Sequence, residues 1–192
     1  MTHTPRLGLP DPARMSEAQR AAHDAIASGP RGRVEGPLAV WLHSAELANN
    51  AQALGAFCRF GSSLPPRLSE LAILVMGSYW RAGFEWYIHA PIAAKAGVPE
   101  AVIAAIKAGG TPVFAEPDAR AVHDFARELL TAHEVSDETY SFARRQLGDR
   151  ALVDLVGILG YYGLISMTIK AFRVPVPDGE TEPFAGRRTV CS

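Results

Sequence analysis

The sequence predicts an all-α protein, and three observations lead there. Apolar residues recur at helical spacing between capping residues and Gly or Pro punctuation. No alternating strand pattern with a hairpin signal occurs. One long segment near the C-terminus is apolar almost all round. The 192 residues suffice for one sizeable core and are short for two. We expect an extended segment over 1–15, one helical domain over 16–172 and an irregular tail over 173–192.

The elements follow in order. Pro5, Pro10 and Pro12 keep the first residues extended. Ser16 is a good N-cap for SEAQRAAHDAIAS, which Gly29 and Pro30 stop. GPRGRVEGP is a loop without the GK[ST] of a phosphate-binding loop. LAVWLHS is a helical turn or two. AELANNAQALGAFCRFGSS is a helix, with Leu47, Ala51, Leu54, Ala56 and Phe60 expected on or near one face. Pro65 and Pro66 open RLSELAILVMGSYWRA, and Ala82 with Gly83 make a break. FEWYIHAPIAAKAG ends at Gly97, a C-cap position. PEAVIAAIKAG, PDARAVHDFARELLTAH and SDETYSFARRQLG follow. RALVDLVGILGYYGLISMTIKAF is expected to be the most buried helix. The last twenty residues lack periodicity and are read as a tail ordered against a neighbouring subunit.

Charge and cysteine usage exclude several classes. The formal net charge is −1, from 19 basic and 20 acidic residues, which leaves no electrostatic footprint for nucleic acid or an anionic membrane. Cys58 and Cys191 form no CxxC and no disulfide framework. The N-terminus has no apolar signal region. VGILGYYGLISMTI, between Asp154 and Lys170, is read as too short to span a bilayer. The expectation is a cytoplasmic protein with no membrane and no nucleic-acid partner.

Function turns on FEWYIHAP. Glu85 and His89 stand four residues apart, so on a helix they share a face that Ile92 and Ala96 extend. Burial raises a carboxyl pKa and lowers an imidazole pKa, and pairing opposes both. A pair so placed can hold one proton near neutral pH. The same spacing also fits part of a metal site, or a hydrogen bond on a surface or subunit interface. The metal reading ranks lower because HExxH is absent. No GxSxG elbow is present. Pro91 would free the carbonyl of Tyr87 beside His89. His123 and His133, next to Asp124 and Glu134, are read as surface residues.

RLSELAIL, a helix, and then EWYIHAPIAAKAGV resemble the carboxymuconolactone decarboxylase family, which includes the AhpD-like proteins. Residues 37 to 110 carry the likeness, the YYG helix more loosely. The matching positions are Arg67, Glu70, His89, Gly97 and Val98. In the peroxidase branch a CxxC precedes the histidine. Ala82 and Glu85 stand at those positions here, so the thiolate chemistry has no thiols to use. The decarboxylase branch lacks CxxC and carries a Glu four residues before the histidine, as Glu85 stands before His89.

The resemblance implies an AhpD-like fold in a trimer or hexamer, and an acid/base site of His89, Glu85 and Glu70 with no cofactor and no metal. Glu70 is a third candidate whose alternative is a salt bridge to Arg67 or Arg59. A hairpin turning at Ala82 and Gly83 sets Glu70 opposite residue 95, roughly 9 Å along the axis from His89, a gap that a water could bridge. Trp86, Trp80, Arg31 and His43 are the candidate substrate-binding residues. Tyr161, Tyr162, Trp41 and Arg33 are weaker ones. The leading function is a cofactor-free lyase or isomerase acting on a small carboxylated lactone or related acid. The alternatives are an AhpD-like peroxidase that depends on Cys58 and a non-catalytic oligomer that binds a small acid.

Overall fold

The computed structural model describes residues 4–29 and 32–186. All its regular structure is helical: α1 (Glu17–Ala27), α2 (Pro37–Trp41), α3 (Ala45–Ala56), α4 (Pro66–Trp80), α5 (Gly83–Lys95), α6 (Glu100–Lys107), α7 (Pro117–Ala132), α8 (Asp137–Leu147) and α9 (Asp149–Phe172). The caps read from sequence are built. The Ser16 hydroxyl accepts from Gln19 N–H while the Gln19 side chain accepts from Ser16 N–H, a complete capping box. The Ser136 hydroxyl caps α8 through Thr139 N–H.

The centre of the molecule is α4, which packs against α9, α5 and α7. Every residue from Leu68 to Gly77 is buried. This corrects the expectation that α9 would be the most buried helix. α9 hides one side and leaves Val153, Val156 and Met167 exposed. By length and composition Asp149–Phe172 could cross a membrane, so shortness does not argue against that; its burial within the fold marks it as a core helix.

The face expected for α3 is also corrected. Its buried residues are the small ones, Ala48, Ala51 and Gly55, followed by Cys58, whereas Leu47, Leu54, Phe57 and Phe60 are exposed. Small side chains let the α3 backbone approach its neighbours closely, so here size and burial run opposite to hydrophobicity. Past α3 the chain makes one π turn, Phe57–Gly61.

α4 and α5 form an antiparallel hairpin. The turn lies at Arg81, a left-handed residue at φ 49°, and Ala82, whose N–H donates to Gly77 O at 2.8 Å; Gly83 already belongs to α5. Lys170 Nζ donates to the Arg81 carbonyl at 3.0 Å and ties the turn to the end of α9. The segment after α9 makes contacts with its own chain as far as it is described. Phe184 stacks edge-on against Trp86 with centroids 5.3 Å apart, and Arg81 Nη2 donates to Phe184 O at 3.1 Å.

Candidate functional site

Three helices bring the candidate residues together. Glu70 comes from the middle of α4, Glu85 and His89 from α5, and Tyr162 and Ser166 from α9. All five side chains are buried. On α5 the inward stripe is Glu85, Trp86, His89 and Ala93, which follows helical periodicity; Ile92 and Ala96 are only half-buried.

His89 Nδ1 lies 2.7 Å from Glu70 Oε2. This is a direct contact, where the axial estimate left a water-sized gap, because two long side chains reach across the offset. The alternative salt bridges for Glu70 are not formed. Arg67 pairs instead with Asp118 at 2.8 Å, and the described residues give Arg59 no ion pair. A carboxylate facing Nδ1 favours the tautomer with its hydrogen there, which leaves Nε2 as the ring nitrogen without a partner among the described residues.

The expected Glu85–His89 pair is not hydrogen-bonded. The Ser166 hydroxyl donates to Glu85 Oε2 at 3.2 Å, and Glu85 Oε1 has no partner. Burial holds the Glu85 carboxyl well above the usual carboxylate range. The Ser166 hydrogen bond opposes that shift, and the nearby Glu70 charge adds to it. Burial therefore biases the Glu85 carboxyl toward its neutral, protonated form. Gly77 makes room for it: a β-carbon there would stand 3.4 Å from Glu85 Oε1 and 3.8 Å from the Trp86 ring.

Tyr162 presents its edge to the His89 ring, with centroids 5.1 Å apart. Burial, chiefly, and the Glu70 charge after it, keep its phenol well above the usual range. Among the described residues Glu85 Oε1 is the one buried side-chain nitrogen or oxygen without a partner. Among the described residues His89 Nε2 and the Tyr162 hydroxyl have no hydrogen-bond partner either.

The remaining candidates separate. Trp86 adjoins the site at Gly77 and is covered by Phe184. Trp80 is half-buried and meets Tyr79 edge-on. His43 is exposed and lies 2.8 Å from Gly8 O, so it ties down the N-terminal segment rather than facing the site. Arg31 lies outside the described residues, as does Cys191, and Arg33 pairs with Glu35 at 2.7 Å. Trp41 stands one layer back, donating to Thr168 Oγ1 at 2.9 Å and touching Tyr161 edge-on. His123 is buried against Phe114 with Nδ1 3.0 Å from Asp124 Oδ1, which corrects its reading as a surface residue. No three His, Cys, Asp or Glu side chains among the described residues form a group that could hold a metal ion.

Sequence reasoning missed Ser166. It lies one turn after Tyr162 on the same face, and a serine inside an apolar helix was the available signal.

The fold is AhpD-like. It matches an uncharacterised peroxidase-related protein from Ralstonia eutropha, described as an alkylhydroperoxidase AhpD core, with a TM-score of 0.72 at 16% identity over 92% of this chain and 94% of that one. A peroxidase-related protein from Silicibacter gives 0.71 at 16% identity, covering 91% and 92%. The debrominase Bmp8 gives 0.69 at 16% identity, covering 95% and 96%, and a cysteine-to-alanine variant of it has been solved with 2,3,4-tribromopyrrole. No family model matches the chain, and no curated protein matches it significantly.

Proposed function

We propose that this chain is a cofactor-free acid/base lyase or isomerase acting on a small carboxylated lactone or related enolisable acid. The observation that carries the reading is the buried Glu70–His89 hydrogen bond at 2.7 Å, with Nε2 unpartnered among the described residues and a second carboxyl in the same site, Glu85, which burial biases toward its neutral form. Glu70 orients the imidazole and stabilises its charged form. His89 Nε2 moves the proton at substrate carbon. Glu85 supplies a neutral hydrogen-bond donor for the developing enolate oxygen. In a decarboxylation the carboxylate leaves as carbon dioxide and its bonding electrons pass into the lactone enolate. The imidazolium then delivers a proton to carbon and is reprotonated from water.

The peroxidase reading draws support from the descriptions of two structural neighbours. Against it stand the residues: Ala82 caps α5, Glu85 lies in its first turn, and the Cys58 thiol is fully buried. The acid/base reading needs no thiol. The test is turnover of 4-carboxymuconolactone, followed by loss of substrate absorbance and release of carbon dioxide, in the wild type and in His89→Ala.

We also propose a cytoplasmic homo-oligomer, a trimer or hexamer. The support is the exposure of Leu54, Phe57 and Phe60 on α3 and its π turn and of Val153 and Val156 on α9, the helix those elements pack against.

A further inference from the structure

A buried acid serves as a donor only if its proton sits on the oxygen that meets the ligand. The two oxygens of Glu85 lie in unlike surroundings. Oε2 takes the Ser166 hydroxyl at 3.2 Å, and Oε1 is buried with no partner among the described residues. We infer that Ser166 is the positioning residue for Glu85: by donating to Oε2 it fixes that oxygen as the acceptor, puts the acid proton on Oε1, and presents Oε1 as the atom that donates to a ligand oxygen. The inference rests on the acid/base reading and names the residue that aims its acid.

Ser166 lies inside α9 and is fully buried. A hydroxyl within a helix commonly bonds back to the carbonyl four residues before it, as Thr168 does to Leu164 O at 2.8 Å. The Ser166 hydroxyl donates across to α5 instead. The register of α9 is held on both sides of it. Gly163 lets α4 come close, with Met76 Cε 3.4 Å from where a β-carbon would stand. Trp41 Nε1 donates to Thr168 Oγ1 at 2.9 Å, and Lys170 Nζ donates to Arg81 O at 3.0 Å.

A protonated carboxyl has one O–H, and a hydroxyl has one hydrogen to give. With that hydrogen spent on Oε2, the carboxyl O–H is at Oε1. Gly77 leaves α4 without a side chain on this side, since a β-carbon there would stand 3.4 Å from Oε1. A buried donor that the chain leaves unpaired needs a partner, and a carbonyl or enolate oxygen of the ligand supplies one.

The experiment is pH-difference infrared spectroscopy of the protonated carboxyl C=O stretch, on the full chain without ligand. It compares wild type, Ser166→Ala, Ser166→Thr and Glu85→Gln, after thermal melts confirm an intact fold. The band absent from Glu85→Gln belongs to Glu85. The titratable groups around that carboxyl are Glu70 from α4, His89 from α5, Tyr162 from α9 and Glu182, which lies against Gly83. All four are common to wild type and both serine variants, so a difference among these reports the hydroxyl. Losing the hydrogen bond to Oε2 strengthens the C=O bond and destabilises the carboxylate. In Ser166→Ala the band should move to higher wavenumber and its titration midpoint to higher pH, while Ser166→Thr, which keeps a hydroxyl, should stay near wild type. On the substrate of the turnover assay, Ser166→Ala should lower kcat about 10-fold with KM within about twofold of wild type. An unmoved band and midpoint in Ser166→Ala, an equal shift in folded Ser166→Thr, an unchanged kcat, or no band that Glu85→Gln removes overturns the assignment. The infrared comparison needs no turnover, and the acid/base reading fails separately, if His89→Ala turns over as wild type does.

Discussion

His89 on α5 and Glu70 on α4 meet at 2.7 Å, 19 residues apart in sequence and both buried. This contact sets which imidazole nitrogen is available for chemistry. Glu70→Gln keeps the shape and removes the charge. It should lower kcat on the order of 10²-fold with little change in KM, since the amide cannot stabilise the imidazolium. Steady-state kinetics on the substrate found in the turnover assay would check this; an unchanged kcat would assign Glu70 to packing.

Glu85 makes stability depend on pH. Its folded pKa is raised, so between its unfolded and folded values the unfolded chain holds fewer protons. Stability is full below the unfolded carboxylate range and falls as pH rises above it, by at most about 1.4 kcal/mol per pH unit. Glu85→Gln removes this term. Urea melts at pH 5 and pH 8 should show the variant gaining on the wild type at the higher pH; a constant difference would contradict the assignment.

Gly36 is required by geometry. It precedes α2 at φ 59°, and a β-carbon there would collide with the Phe84 ring. Gly36→Ala should destabilise the fold by about 2–4 kcal/mol, read from chemical denaturation.

Cys58→Ser should leave turnover within about twofold of wild type, because the proposed chemistry passes through no thiol. Loss of activity in a folded variant would favour the peroxidase reading.

The double variant Leu54→Glu with Val156→Glu charges the exposed apolar surface without touching the core. Light scattering should show the wild type as an oligomer and the variant at lower mass. A monomeric wild type would contradict the assembly.

The sequence showed the fold readily and the site only in part. Caps such as Ser16 and Gly97 marked helix ends because capping chemistry is local. On α3 the expected face held at Ala51 but not at Leu47, Leu54 and Phe60, because Ala48, Ala51 and Gly55 pack by closeness of backbone, which a hydrophobic period does not register. Spacing joined Glu85 to His89, as residues four apart on a helix can be joined. Which of them bond depended on Ser166, brought in from α9, and on Glu70, brought in from α4. His123 was misread because an acidic neighbour in sequence says nothing about which side of α7 meets the core.

The most direct test of the central claim is turnover of 4-carboxymuconolactone by wild type beside His89→Ala, with carbon dioxide release measured in both. The account predicts turnover by the wild type and a loss of at least about 10²-fold in the variant. Equal turnover in a folded His89→Ala would contradict it.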